Sequence, residues 1–211
     1  MMKKDFTHIS ILLDRSGSMM SIQTDVIGGF NTFLREQKSQ PGEVTVTLVR
    51  FDNEYEIAYE MTPLAGVKEL SNFTFIPRGS TALNDSLARL IHETGEKLAG
   101  MHESDRPDRV LFLILTDGEE NASIEYSKDA VRKLIEHQEF VYKWQFVYIG
   151  ANQDSFAESA DRGIQHAMNF SADAEGVSAM FSKVSMSTSN FRLQGDFAFD
   201  DIPAETQGDD V

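Results

Sequence analysis

Phe6-Thr7-His8-Ile9-Ser10-Ile11-Leu12-Leu13-Asp14-Arg15-Ser16-Gly17-Ser18 sets the reading of the whole chain. Phe6 to Leu13 reads as a strand whose second half, Ile9 to Leu13, is nearly continuous in apolar residues, as in a parallel strand covered on both faces. The run then breaks into the polar segment Asp14 to Ser18. Beyond it, Ile22, Val26, Ile27, Phe30, Phe33 and Leu34 recur at helical spacing, forming one stripe of a helix that ends near Gln40-Pro41-Gly42. Strand, polar loop and amphipathic helix open an α/β fold.

The alternation continues outward from that unit. Val44 to Phe51 is rich in Val and Thr, and Tyr55 to Tyr59 alternates like an edge strand, with a hairpin around Asp52-Asn53. A loop through Pro63 and Pro77 to Thr81 leads to a helical stripe of Leu83, Leu87, Leu90, Ile91 and Leu98. Val110 to Leu115 is the most hydrophobic strand and ends in the polar break Thr116-Asp117-Gly118. A helix over Tyr126 to Glu139 and a strand over Trp144 to Ile149 follow. Then come a short helix over Ser155 to Asp161, a short strand over Ala167 to Phe170 and a last helix over Asp173 to Met186. The expected fold class is α/β: a doubly wound, mostly parallel sheet with one antiparallel edge strand and helices on both faces. Residues 1–189 are expected to form this domain. Residues 190–211, with six acids against the single Arg192, are expected to form an acidic, partly disordered extension.

Composition bounds the function. The 211 residues carry a formal net charge of −15, which works against phosphate neutralisation and hence against general nucleic-acid binding. The absence of cysteine excludes disulfides, thiol nucleophiles and thiolate metal sites, and suits a reducing compartment. The start, Met1-Met2-Lys3-Lys4, precedes an apolar run interrupted by His8 and Ser10, too short and too polar for a signal peptide or membrane span. A cytoplasmic protein with no membrane contact is expected.

In open α/β sheets, ligands bind beyond the carboxyl ends of the strands where connections diverge. Asp14, Ser16 and Ser18 end one such strand and Asp117 ends another; all offer hard oxygen atoms. Mg²⁺ and Mn²⁺ take six such ligands, some of them water. Hydroxyls in place of carboxylates leave the cation with residual positive charge, ready for an anionic ligand.

Asp14-Arg15-Ser16-Gly17-Ser18-Met19 matches the D-x-S-x-S signature of the von Willebrand factor A (vWA) domain, which the chain resembles over roughly residues 5 to 188. Gly79-Ser80-Thr81 is similar to the loop that carries the family's threonine ligand, and Leu115-Thr116-Asp117-Gly118 to its T-D-G loop. The resemblance implies a metal-ion-dependent adhesion site (MIDAS) made of Asp14, Ser16, Ser18, Thr81 and Asp117, with no ligand position replaced. It further implies Mg²⁺ or Mn²⁺ as the cation and a protein partner whose Asp or Glu completes the shell, without catalysis. Ile27 to Asn31 and Ile149 to Asp154 are similar to segments of stand-alone bacterial and phage members.

Other readings compete for the same residues. The first loop taken alone is also a helix cap. A Mg²⁺-dependent phosphohydrolase of the haloacid-dehalogenase type needs a second Asp two positions after the first, where this chain has Ser16. Neither a G-x-S-x-G elbow nor a phosphate-binding Gly loop is present. An assembly component whose metal only stabilises the fold is a third reading. His8, His92, His102, His137 and His166 show no helical metal spacing and read as surface or core positions. Glu119 and Glu120 read as a solvated pair or a rim of the site, and Met19 and Met20 as gap fillers or an adaptable contact surface. Arg15 and Arg78 are expected to flank opposite sides of the site, steering an acidic partner, pairing with the acidic tail or forming rim ion pairs. Phe191, Phe197 and Phe199, interleaved with acids, offer either a docking motif or packing onto the fold.

Overall fold

The computed structural model describes residues 3–151 and 155–199. Six strands form one sheet in the order β3-β2-β1-β4-β5-β6. They are β1 (Lys3–Asp14), β2 (Glu43–Phe51), β3 (Tyr55–Pro63), β4 (Pro107–Thr116), β5 (Gln145–Ala151) and β6 (His166–Phe170). Among the described residues only β3, on the edge, pairs antiparallel. The helices are α1 (Gln23–Ser39), α2 (Leu83–Gly100), α3 (Lys128–Tyr142), α4 (Ser155–Asp161) and α5 (Ala174–Gln194). The expected doubly wound α/β class is the one observed.

Two apolar layers sandwich the sheet, and the period-two alternation of β1 feeds both. Ile9, Ile11 and Leu13 pack with Val26, Phe30 and Phe33 of α1 and Met180, Phe181 and Val184 of α5. Leu12, on the opposite face, joins Leu87 and Ile91 of α2 and Val131 and Ile135 of α3. Each such fully buried side chain contributes on the order of 1.5–3 kcal/mol relative to exposure. The outcome is a rigid sheet with central strands β1 and β4 in register, Leu13 opposite Leu115.

The last helix runs eight residues beyond its expected end at Met186, to Gln194. Apolar periodicity fades there because Ser185, Ser187 and Thr188 are buried instead. Gln37 Nε2 of α1 donates to the Ser185 carbonyl at 2.9 Å and to Ser189 Oγ at 3.1 Å, so small hydroxyl residues pack where larger apolar ones were expected. The extension expected from Asn190 therefore starts inside a helix. Phe191 and Phe197 are buried, and Arg192 Nη1 donates to the Gln37 carbonyl at 2.7 Å. Residues 200–211, and whatever disorder was expected of them, lie outside the described residues.

Candidate metal centre

Strand order reverses between β1 and β4. The chain leaves β1 through α1 toward β2 on one side, and leaves β4 through α3 toward β5 on the other. The crevice at this switch point holds all five residues that the resemblance implied. Asp14 ends β1 and is fully buried, and Thr116 ends β4 beside it. The Ser16 backbone N–H donates to Asp14 Oδ1 at 2.6 Å, and Thr116 Oγ1 donates to Asp14 Oδ2 at 2.6 Å. Both carboxylate oxygens are thus fixed, and the first loop is folded back over its own aspartate.

The next layer is built from hydroxyls. Ser18 Oγ donates to Asp117 Oδ1 at 2.6 Å and lies 3.0 Å from Ser16 Oγ. Thr81 arrives from the segment before α2 and is held by its backbone. Its N–H donates to Asn121 Oδ1 at 2.9 Å, and its carbonyl accepts from the Asn121 and Ala122 N–H groups. Gly118 shows how closely these oxygens converge: a methyl group there would stand 2.9 Å from Thr81 Oγ1, 3.3 Å from Ser18 Oγ and 3.6 Å from Ser16 Oγ. The space that a Cβ would fill is a cradle of three hydroxyl oxygens with Asp117 at its edge.

Electrostatics make the cradle receptive to a cation. Burial pushes the Asp14 carboxyl up to about 6, against the hydrogen bonds from Thr116 and Ser16 that favour its ionised form. Burial also raises Asp117. Two carboxylates held together at this cost are what a divalent cation would relieve. Among the described residues no three carboxylate or imidazole groups cluster to hold a metal. Any ion here therefore depends on the hydroxyls, and the donor set of hard oxygens fits Mg²⁺ or Mn²⁺.

Several expectations about the surroundings need correction. Arg15 and Arg78 do not flank opposite sides of the site; their Nε atoms converge on Asp52 Oδ2 at 3.0 and 2.8 Å. Arg15 also pairs with Glu56 and Arg78 with Glu54, so neither guanidinium is an uncommitted cation for steering an acid. Glu120 is not a solvated partner of the exposed Glu119. It accepts from the N–H groups of Asn84, Ala122 and Ser123, pinning the loop after Asp117 to the start of α2. The gap-filling reading holds for Met19, which is buried, and fails for Met20, which is exposed. Thr116, Asn121 and Asp52 escaped the sequence reading as supporting residues. Only Thr116 had a signal, its place beside Asp117.

No family model and no curated protein sequence matches the chain. Solved structures do. A von Willebrand factor type A structure from Catenulispora acidiphila superposes with TM-score 0.58 at 12% identity, covering 89% of this chain and 43% of that one. Proximal thread matrix protein 1 from the mussel byssus, solved with a zinc-occupied MIDAS motif, gives 0.61 at 15% identity, covering 88% and 48%. BatB from Bacteroides thetaiotaomicron gives 0.53 at 13% identity, covering 87% and 98%. The fold is that of a vWA domain. This chain spans under half the length of the first two structures, and at such identities the likeness is one of fold. In this chain the switch-point crevice lies at the carboxyl ends of β1 and β4, where Asp14 and Thr116 lie.

Proposed function

We propose that the chain is a divalent-metal-dependent protein-binding module. In this reading Ser16, Ser18 and Thr81 offer hydroxyl oxygens to Mg²⁺ or Mn²⁺, with Asp14 and Asp117 supplying the negative charge, directly or through water. The observation that carries it is the convergence of three hydroxyls from two separate loops over Gly118, beside Asp117. The mussel protein's zinc-occupied MIDAS on the same fold supports a divalent cation in general. When bound, the cation would supply an electrophilic position that a partner's Asp or Glu completes. Asp14 acts from below, holding the Ser16 N–H and the Thr116 hydroxyl so that the loop keeps its shape.

No proton transfer or bond cleavage is part of this proposal. Ser16 stands where a phosphohydrolase of the aspartyl type would need its acid. The net charge of −15 supports a partner other than nucleic acid. No helix among the described residues is long and apolar enough to cross a membrane. A cytoplasmic setting belongs to the same proposal and rests on the cysteine-free sequence.

Millimolar Mg²⁺ or Mn²⁺ is expected to raise the melting temperature of the wild type by binding the folded state. Asp14→Ala and Asp117→Ala should not respond. A wild-type melting curve indifferent to both ions overturns the site. A partner captured in Mg²⁺, and lost in EDTA and with Asp14→Ala, supports the bridge. Assembly with a partner regardless of metal reduces the ion to a stabiliser. Phosphate release from simple phosphoesters that vanishes in Asp14→Ala replaces the binding reading with a hydrolytic one.

A further inference from the structure

Ligands from two loops far apart in sequence must be held in one geometry, and a single buried carboxylate joins those loops. Asp52, directly after the end of β2, is fully buried. Its Oδ2 accepts from Arg15 Nε at 3.0 Å and from Arg78 Nε at 2.8 Å, while its Oδ1 accepts from the Glu54 N–H at 2.6 Å. Its backbone carbonyl accepts from the Ala82 N–H at 3.0 Å. Arg15 lies between Asp14 and Ser16; Arg78 and Ala82 bracket Thr81. One residue therefore grips the middle of the first loop and both sides of the threonine that faces it.

The backbone repeats the connection. The Arg78 N–H donates to the Arg15 carbonyl at 2.7 Å, the Gly17 N–H to the Gly79 carbonyl at 3.2 Å, and the Arg15 N–H to the Phe51 carbonyl at 2.8 Å. Gly79 takes a positive φ of 68°, and a side chain there would run into Asn53 Oδ1 at 2.1 Å, so the turn before Thr81 is folded directly against the hairpin. The far ends of the two guanidiniums are held by Glu56 and Glu54.

We propose that Asp52 is a positioning residue for the metal centre, setting the distance between the Ser16–Ser18 loop and Thr81 through Arg15 and Arg78. This rests on the metal-binding reading above. Mg²⁺ tolerates little departure from octahedral geometry, and a site held about 1 Å too loosely fails even with every ligand present. Groups that orient metal ligands typically change affinity 10–100-fold when removed. Asp52 neither touches the cradle nor competes for the cation; it acts by fixing what does.

Two variants test this. Asp52→Asn keeps volume and loses charge, while Arg78→Ala removes the half-exposed arm and leaves the buried Asp52 carboxylate paired with Arg15. In metal-free protein, amide exchange at Gly17 and Arg78 should accelerate in both variants while amides in the middle of β4 keep their protection. Mn²⁺ affinity, measured where circular dichroism shows a folded chain, should fall about 10–100-fold in Asp52→Asn and in the same direction in Arg78→Ala. Asp117→Ala should lose Mn²⁺ and retain slow exchange at both amides. Where Asp52→Asn does not fold, Arg78→Ala decides. Unchanged Mn²⁺ affinity in the folded variants, with or without faster exchange, overturns the positioning role and leaves the metal site standing. A wild type that binds no Mn²⁺ overturns both.

Discussion

Gly118 marks the point at which the centre admits something other than protein. It follows Asp117 directly, and its N–H donates to Thr116 Oγ1 at 3.2 Å, which turns the loop back over β4. Its missing side chain leaves the approach to Thr81, Ser18 and Ser16 open. Gly118→Ala would place a methyl in that approach, 2.9 Å from Thr81 Oγ1, so that the threonine hydroxyl must give way. The expected outcome is a loss of Mn²⁺ affinity of at least tenfold, about 1.4 kcal/mol. The melting temperature of metal-free protein should move by only a few degrees. Calorimetric titration with Mn²⁺ alongside a thermal melt measures both. Unchanged affinity would put the cation somewhere other than this cradle.

At the scale of elements, β1 carries the site at one end and a polar interior at the other. His8 and Ser10 alternate with Ile9 and Ile11, so they face the α2 layer that Leu12 shares. There His8 Nδ1 meets Thr45 Oγ1 at 2.9 Å, His8 Nε2 meets Ser10 Oγ at 3.1 Å, and Ser10 Oγ meets Thr94 Oγ1 of α2 at 3.2 Å. The network satisfies polar groups that would otherwise cost about 1–3 kcal/mol each. Burial drives the His8 imidazole down from 6.5 to about 3. The unfolded chain therefore takes up a proton below 6.5 that the folded chain refuses until about 3, and stability falls with pH across that window by up to about 1.4 kcal/mol per unit. Asp14 works the other way: held at about 6, it binds a proton in the folded state that the unfolded chain releases down to 3.8, which favours folding as pH drops. Comparing wild type with His8→Gln isolates the first effect. Between about pH 7 and about pH 5, the urea midpoint of wild type should fall more than that of the variant. Equal slopes would mean that His8 is protonated in the fold.

For the whole molecule, the end of the chain described here is part of the sandwich. Phe191 and Phe197 are buried at the amino edge of the sheet. Arg192 donates to the Gln37 carbonyl and side chain and to the carbonyls of Gln40 and Pro41, fastening α5 to the end of α1. A chain ending at residue 189 would lose both aromatic anchors, about 3–5 kcal/mol for each such side chain in a core, together with those hydrogen bonds. Against a total stability of about 5–15 kcal/mol, it is expected to melt at least about 10 °C lower or fail to fold, as a thermal scan would show. A truncated chain with the full melting temperature would return residues 190–199 to the status of an appendage. Arg15 and Arg78 are consumed by Asp52, Glu54 and Glu56, so in the proposed function attraction of an acidic partner falls to the cation itself.

What could be read without coordinates was whatever has a local period or a local motif. Apolar runs of four to eight residues and helical stripes identified the strands and helices, because burial on both faces of a parallel sheet demands them. The short polar runs after Leu13 and Leu115 pointed to a switch-point site, because loops at strand ends carry what the sheet cannot bury. The residues reached only through folding are those whose partners lie far away in sequence. Asp52 looks like any hairpin aspartate until Arg15 and Arg78 close on it. Glu120 looks solvated until the start of α2 supplies its N–H groups, and Ser185 to Ser189 look too polar for a core helix until Gln37 meets them. Patterns along a chain record how each residue is buried. Which charge meets which depends on how loops return across the sheet, and for this protein that is what decides the shape of the site.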